Sequence, residues 1–300
     1  MKSNLAVVWP RPAKLLGVVT VRSTLSFKAL ISSSSDVALM IVVQAPSPPA
    51  PGESVRGTEL TGSSAAGGRR LLDGLTFSVR QGECWGLIGP NGSGKTSLLH
   101  VLAGILPPAG GVVRYATRPA ESLSSRQRAR HVGVMLQNED HVFPATVLER
   151  VLAGRHAHRH PWAWETATDI QLARDALERT GMRAFEDRLL STLSGGERRR
   201  AQLAALLYQA PVVAMLDEPE NDLDLRYQAQ LLAELVGEFT RNGRGAVMVL
   251  HDVNLAVRFC SHLVMLDGKT AIAGTTDQIA TSRRLSALYG CSVREVTGAG

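Results

Sequence analysis

Cysteine is scarce, and the three present, Cys84, Cys260 and Cys291, stand far apart along the chain. An odd number at such spacing makes neither a disulfide framework nor a metal-ligand pattern, and it fits a reducing cytosol. Long apolar runs are missing too. No stretch approaches the roughly 20 residues that a membrane-spanning helix requires, so any service to a membrane would pass through partners. Acidic residues are nearly absent from residues 1–39, where Lys2, Arg11, Lys14, Arg22 and Lys28 face only Asp36. That segment carries +4 of the formal +6, and the +2 left elsewhere is too little to argue for a nucleic-acid surface. Aromatic residues make up only 5% of the chain.

What is present is ordinary for a soluble globular chain: 300 residues, 44% hydrophobic and 20% charged, enough for one large domain or two modest ones. Residues 1–54 differ from the rest. A serine cluster at Ser32–Ser35 and the prolines Pro46, Pro48, Pro49 and Pro51 are linker chemistry. We read this segment as a disordered extension or an overextended start with Met40 the true beginning. Its basic residues and serines also resemble a transit peptide.

The stretch Gly89-Pro90-Asn91-Gly92-Ser93-Gly94-Lys95-Thr96, followed by Ser97, fits the phosphate-loop pattern G-x-x-x-x-G-K-[ST]. Its glycines let the backbone bend and point N–H groups at an anion. Lys95 supplies charge, Thr96 a hydroxyl for Mg²⁺, and a helix beginning near Gly94 aims its positive end at the same place. The run Glu83–Ile88 reads as the entering strand and Leu98–Leu102 as the helix that follows.

Strand and helix patterns alternate along the remainder, which implies a mainly parallel sheet. Val55–Thr61, Leu71–Val79, Gly110–Tyr115, His131–Leu136, Val212–Leu216 and Ala246–Leu250 read as strands, and Leu263–Leu266 with Ala271–Ala273 as a terminal hairpin. Ser122–Arg130, Thr146–Ala153, Ala167–Thr180, Glu197–Gln209, Arg226–Arg241 and Asn254–Cys260 read as helices. The helical insert spans about residues 139–200.

Two further clusters carry chemistry. The apolar strand Val212–Leu216 delivers Asp217 and Glu218 to the carboxyl edge of the sheet, where α/β folds bind ligands. Asp217 is placed to hold Mg²⁺ and Glu218 to activate a water. Five carboxylates fall between Asp217 and Asp224, and their mutual repulsion should raise pKa values. Leu193-Ser194-Gly195-Gly196-Glu197 opens a helix, with Glu197 at capping-box spacing from Ser194. The same amides are open to an anion.

The ordered set of Gly89–Thr96, Gln137, Leu193–Glu197, Val212–Glu218, Leu223-Asp224 and His251 resembles the nucleotide-binding subunit of ABC transporters. The resemblance implies an α/β fold, a P-loop NTPase (ABC-type) core with mainly parallel sheet, an antiparallel β subdomain and an inserted α-helical subdomain over 55–300. It implies ATP and Mg²⁺ as cofactors, with Thr96, Gln137 and Asp217 around the metal. Gln137 would sense the γ-phosphate, Glu218 would be the general base and His251 would touch the γ-phosphate. Leu193–Glu197 would meet the ATP of a partner subunit, and Asp224 would lie at the interface of a homodimer. Other implied partners are integral membrane permease subunits and, indirectly, a secreted substrate-binding protein, with the chain on the cytoplasmic face of the plasma membrane. No nucleic acid is implied.

Val151–His158, Trp162, Trp164, His251–Ala256, Leu288-Tyr289-Gly290 and Val293 are similar to the subgroup importing ferric siderophores, haem and cobalamin. His156, His158 and His160 read as an exposed polar connector in preference to a metal site. Ala66 stands where the family stacks an aromatic on adenine, which implies weak base selectivity. Glu220 stands where the family has Thr or Ser. The alternative is a soluble ABC ATPase of translation or DNA repair, but such relatives carry two cassettes or a long coiled coil, and this chain has neither.

Overall fold

The computed structural model describes residues 75–294, apart from 109, 138–143, 161–162, 222–224 and the side chains of 225 and 226. The extension 1–54, the strand expected at 55–61, Ala66, Trp162 and Asp224 lie outside the described residues. The described residues up to Val293 belong to one compact unit.

The central strand is β1 (Cys84–Ile88), buried along its whole length. It pairs in parallel with β6 (Gly245–Val249) on one side and β7 (His262–Leu266) on the other. Beyond β6 lie β5 (Val213–Asp217) and β4 (Val132–Met135), also parallel. Strand β8 (Ala271–Thr275) closes the other edge antiparallel to β7, giving the order β4-β5-β6-β1-β7-β8. A short antiparallel ribbon, β2 (Arg114–Tyr115) with β3 (Arg118–Pro119), stands apart. The α/β class and the mainly parallel sheet are as the alternation of patterns implied.

Period two along each strand feeds two apolar layers. On β5, Val213 and Met215 face Leu87, Val247 and Val249, under helix α1 (Lys95–Leu102). Ala214 and Leu216 face Ile88, Ala246 and Met248 on the opposite side, under α6 (Leu225–Arg241). Each leucine fully buried in these layers stabilises the fold by roughly 1.5–3 kcal/mol.

Among the described residues the helical insert is built from α3 (Val147–Ala153), α4 (Ala167–Arg179) and α5 (Gly195–Gln209) around a third cluster of Val147, Val151, Ala173, Leu177, Ala201, Ala204 and Tyr208. Each of these helices begins with a complete capping box: Thr146 with Glu149, Thr166 with Asp169, and Ser194 with Glu197. Such caps are worth about 0.5–2 kcal/mol each. Helix α5 is shared. Its Leu203 and Leu206 pack under the sheet, whereas Ala201, Ala204, Ala205 and Tyr208 pack inside the insert. It ends at Ala210, which takes a left-handed φ of 53° just before Pro211.

Local expectations differ from the fold in several places, among them two helices not expected from the sequence, Thr276–Ile279 and Ser282–Tyr289. The strand expected over Gly110–Tyr115 forms only at Arg114–Tyr115. The polar helix expected from Ser122 begins as a 3-10 turn over Ala120–Ser122 and becomes α2 (Ser125–His131) only after the Ser124 cap. Leu75, Phe77 and Val79 keep alternating burial but join no ladder among the described residues.

Candidate active site

The phosphate loop turns where β1 ends. Gly89 cannot be replaced without collision: a Cβ there would lie 2.1 Å from the Leu266 carbonyl oxygen and 2.7 Å from Ser93 Oγ. Gly92 and Gly94 have φ of 76° and 96°, a left-handed region that L side chains rarely adopt. Gly94 is the N-cap of α1 and offers no side-chain cap, so the first N–H groups of the helix stay open. Ser93 Oγ is buried with no hydrogen-bond partner among the described residues. Lys95 is buried at the loop's base, its Nζ donating to Gly89 O (2.8 Å) and Pro90 O (3.1 Å). Burial lowers its pKa, while the charges of Glu218 and Asp217 pull it back up. A loop of open amides, one orphaned hydroxyl and a buried amine fits a phosphate chain.

The second half of the site arrives on β5. Asp217 at its end accepts a hydrogen bond from Thr96 Oγ1 at 3.1 Å, so residues 121 positions apart share one edge of the sheet. Oxygens of a hydroxyl and a carboxylate side by side suit a hard cation such as Mg²⁺. Burial raises the Asp217 pKa, with the Thr96 hydrogen bond opposing.

Glu218 then leaves the strand with a left-handed φ of 50°. Its carboxylate collects three side chains. Gln137 Nε2 donates to Oε2 at 2.5 Å, Asn221 Nδ2 donates to the same oxygen, and His251 Nε2 meets Oε1. The His251 main-chain N–H donates in turn to Glu220 Oε1 at 3.0 Å. Burial raises the Glu220 pKa, and that hydrogen bond works against the rise. Both pKa values rise, as the crowding of carboxylates implies, and the Glu218 charge contributes at each, but burial is the larger cause at both Asp217 and Glu220.

With this geometry in view, comparison with known proteins places the chain. The ABC transporter family pattern matches residues 72–221. The hemin import ATP-binding protein of Streptomyces coelicolor is 40% identical over 226 residues, covering 74% of this chain and 79% of that protein. The chain belongs to the ABC transporter family. The cobalamin import ATP-binding protein of Halobacterium salinarum is 36% identical over 227 residues, which cover 75% of this ABC chain but only 56% of the relative. This chain thus spans little more than half the length of that protein. A metal-chelate type ABC transporter solved in an inward-facing conformation aligns with a TM-score of 0.65 and 28% identity, over 73% of this chain and 82% of that one.

The structure brings Gly89–Thr96, Gln137, Asp217, Glu218 and His251 of this ABC chain to one end of the sheet. Leu193–Glu197 lie elsewhere, with no hydrogen bond to the loop among the described residues. There Ser194 Oγ accepts from Glu197 N (3.3 Å) and Glu197 Oε2 accepts from Ser194 N (2.8 Å). Asn221 and Arg199 escaped the sequence reading. Asn221 is an amide among acids, which is itself a signal. Arg199 sits four and seven residues before Leu203 and Leu206, on the buried stripe of α5. His156 and His158 form a 3-10 turn, and no group of three metal-ligating side chains gathers among the described residues. Cys84 and Cys260, distant in sequence, are free thiols with sulfurs 3.7 Å apart in the core.

Proposed function

We propose that this chain is the ATP-hydrolysing subunit of an ABC importer that takes up a metal chelate such as a ferric siderophore, haem or cobalamin. The observation that carries the reading is the convergence of Gln137, Asn221 and His251 on the Glu218 carboxylate, beside the Thr96–Asp217 contact.

In this reading Gly89–Ser97 hold the triphosphate through loop amides, the Ser93 hydroxyl and the Lys95 ammonium. Thr96, Asp217 and the Gln137 amide oxygen would hold Mg²⁺, which supplies positive charge to the phosphates. Glu218 accepts a proton as water attacks the γ-phosphorus; the new P–O bond forms as the bond to the ADP oxygen breaks. His251 and Gln137 orient Glu218 and face the γ-phosphate. Ser194, with Leu193, Gly195, Gly196 and Glu197, meets nucleotide held by a second copy of the chain, and Asp224 lies at that dimer interface. A lone chain would hold half of each site.

Among the described residues no helix is long and apolar enough to cross a membrane. Permease subunits provide the path, a secreted binding protein delivers cargo, and the chain works on the cytoplasmic face. The names of the relatives, import ATP-binding proteins for hemin and cobalamin and a metal-chelate type transporter, support the import of a metal chelate. Glu218→Gln tests it. The expected outcome is retained ATP binding, an ATP-dependent dimer on size-exclusion chromatography, and turnover reduced by a factor of about 100 or more. Near-normal turnover would remove Glu218 as the base.

A further inference from the structure

Arg199 is a charged side chain almost wholly removed from solvent, 4% exposed, on the first turns of α5. Its guanidinium reaches out of the insert and into the sheet edge. Nη1 donates to Leu136 O at 2.8 Å and to Gln202 Oε1 at 3.3 Å. Nη2 donates to Asp217 O at 2.5 Å and to Glu218 O. Leu136 is the residue before Gln137. One planar group therefore grips the main chain on both sides of the Gln137–Glu218 contact.

We propose that Arg199 is a positioning residue that fixes the main chain of Glu218 and couples its aim to helix α5. The inference rests on the reading of Glu218 as the base.

Glu218 sits at a φ of 50°, a region that costs a non-glycine residue about 1–3 kcal/mol and persists only where its surroundings dictate it. Three contacts dictate it here, one of them a local turn in which the Asn221 N–H donates to the Glu218 C=O at 3.2 Å. The Glu218 N–H donates to Val249 O at 3.2 Å, and its C=O also accepts from Arg199. With both main-chain groups held, the Cα–Cβ bond has one direction, and contacts with Gln137, Asn221 and His251 orient the carboxylate.

Arginine suits this task because its rigid fork reaches separate carbonyls at once, whereas an ammonium is a compact point charge on a flexible stem. A desolvated cation is costly unless its donors are satisfied, so the carbonyls and Arg199 hold one another in place. Because Arg199 lies two residues after Glu197 on the same helix, a shift of α5 on meeting a partner's nucleotide is transmitted to the Glu218 carbonyl without passing through solvent.

The test uses the full-length chain carrying Arg199→Lys or Arg199→Met, with Glu218→Gln in parallel. The measurements are thermal stability, binding of a non-hydrolysable ATP analogue, and kcat and KM for ATP. The expected result is a folded protein whose analogue Kd changes by no more than about threefold while kcat falls about 10- to 100-fold, as misplacement of a reacting group predicts. Lysine should recover part of the methionine loss. Wild-type kcat in either folded variant would overturn the inference, as would parallel losses of binding and turnover. If the methionine variant does not fold, the lysine variant decides. Failure of both to fold would assign Arg199 to folding and overturn the proposal as well. Normal turnover in Glu218→Gln would instead sink the reading of the base, independently of Arg199.

Discussion

At the scale of single residues, Glu220 offers a charge where a hydroxyl is usual in the family it resembles, and the fold buries it beside His251. Its folded pKa lies above the ordinary glutamate value because burial disfavours the anion. The folded protein therefore keeps a proton that the unfolded chain surrenders. The stability this provides is complete below the unfolded pKa and is lost as pH rises through the folded one. Glu220→Gln retains an acceptor for the His251 N–H and has no proton to lose. Its melting temperature relative to wild type should climb as pH rises above the ordinary glutamate range, checked by paired thermal melts. A difference independent of pH would count against a buried, titrating Glu220. The neighbouring Glu218 shows what residue patterns do and do not reveal. Its identity and place after an apolar strand were legible. Its left-handed backbone was not, because, beyond a local turn bond from the Asn221 N–H, the Arg199 and Val249 contacts that hold it come from distant elements.

At the scale of elements, the start of α5 combines a structural task with a proposed functional one. The Ser194–Glu197 box accounts fully for the helix N-terminus. Ser194→Ala should cost about 0.5–2 kcal/mol by denaturant unfolding. Ser194→Asp separates the two tasks, since aspartate caps as well as serine but brings a negative charge to the place we propose meets a partner's phosphate. Stability near wild type together with strongly reduced ATP-dependent dimerisation is the expected pair of results. Dimerisation at the wild-type level would detach Ser194 from nucleotide. The helices up to Phe259 were legible within a few residues because apolar spacing and capping residues are local signals, whereas Thr276–Ile279 and Ser282–Tyr289 were missed. The shortened β2 and the late start of α2 were missed for a local reason too. Val113 lies outside the β2–β3 ladder, its carbonyl accepting instead from Ala120 N at 2.8 Å, and the complete capping box forms at Ser124 rather than Ser122.

At the scale of the whole molecule, the parallel character of the sheet was legible from alternating patterns, whereas the order β4-β5-β6-β1-β7-β8 was not. That order comes from long crossovers, and no short window of sequence contains them. The same limit hid the contact of Cys84 with Cys260. The poverty of aromatics bears on the whole nucleotide site. The lack of a ring near Ala66, a residue outside the described part of the fold, predicts that GTP and ATP are hydrolysed at comparable rates in a paired steady-state assay. Strict ATP preference would show that another group reads the base. One architectural fact reaches further. Helix α5 supplies side chains to the floor of the sheet and to the middle of the insert, so the insert has no clean seam at residue 200. Recombination between related cassettes can succeed only if the crossover falls beyond Gln209, at the Ala210-Pro211 stop. The heritable module is therefore longer than the compact body it builds, and relatives should trade α5 with the insert or not at all.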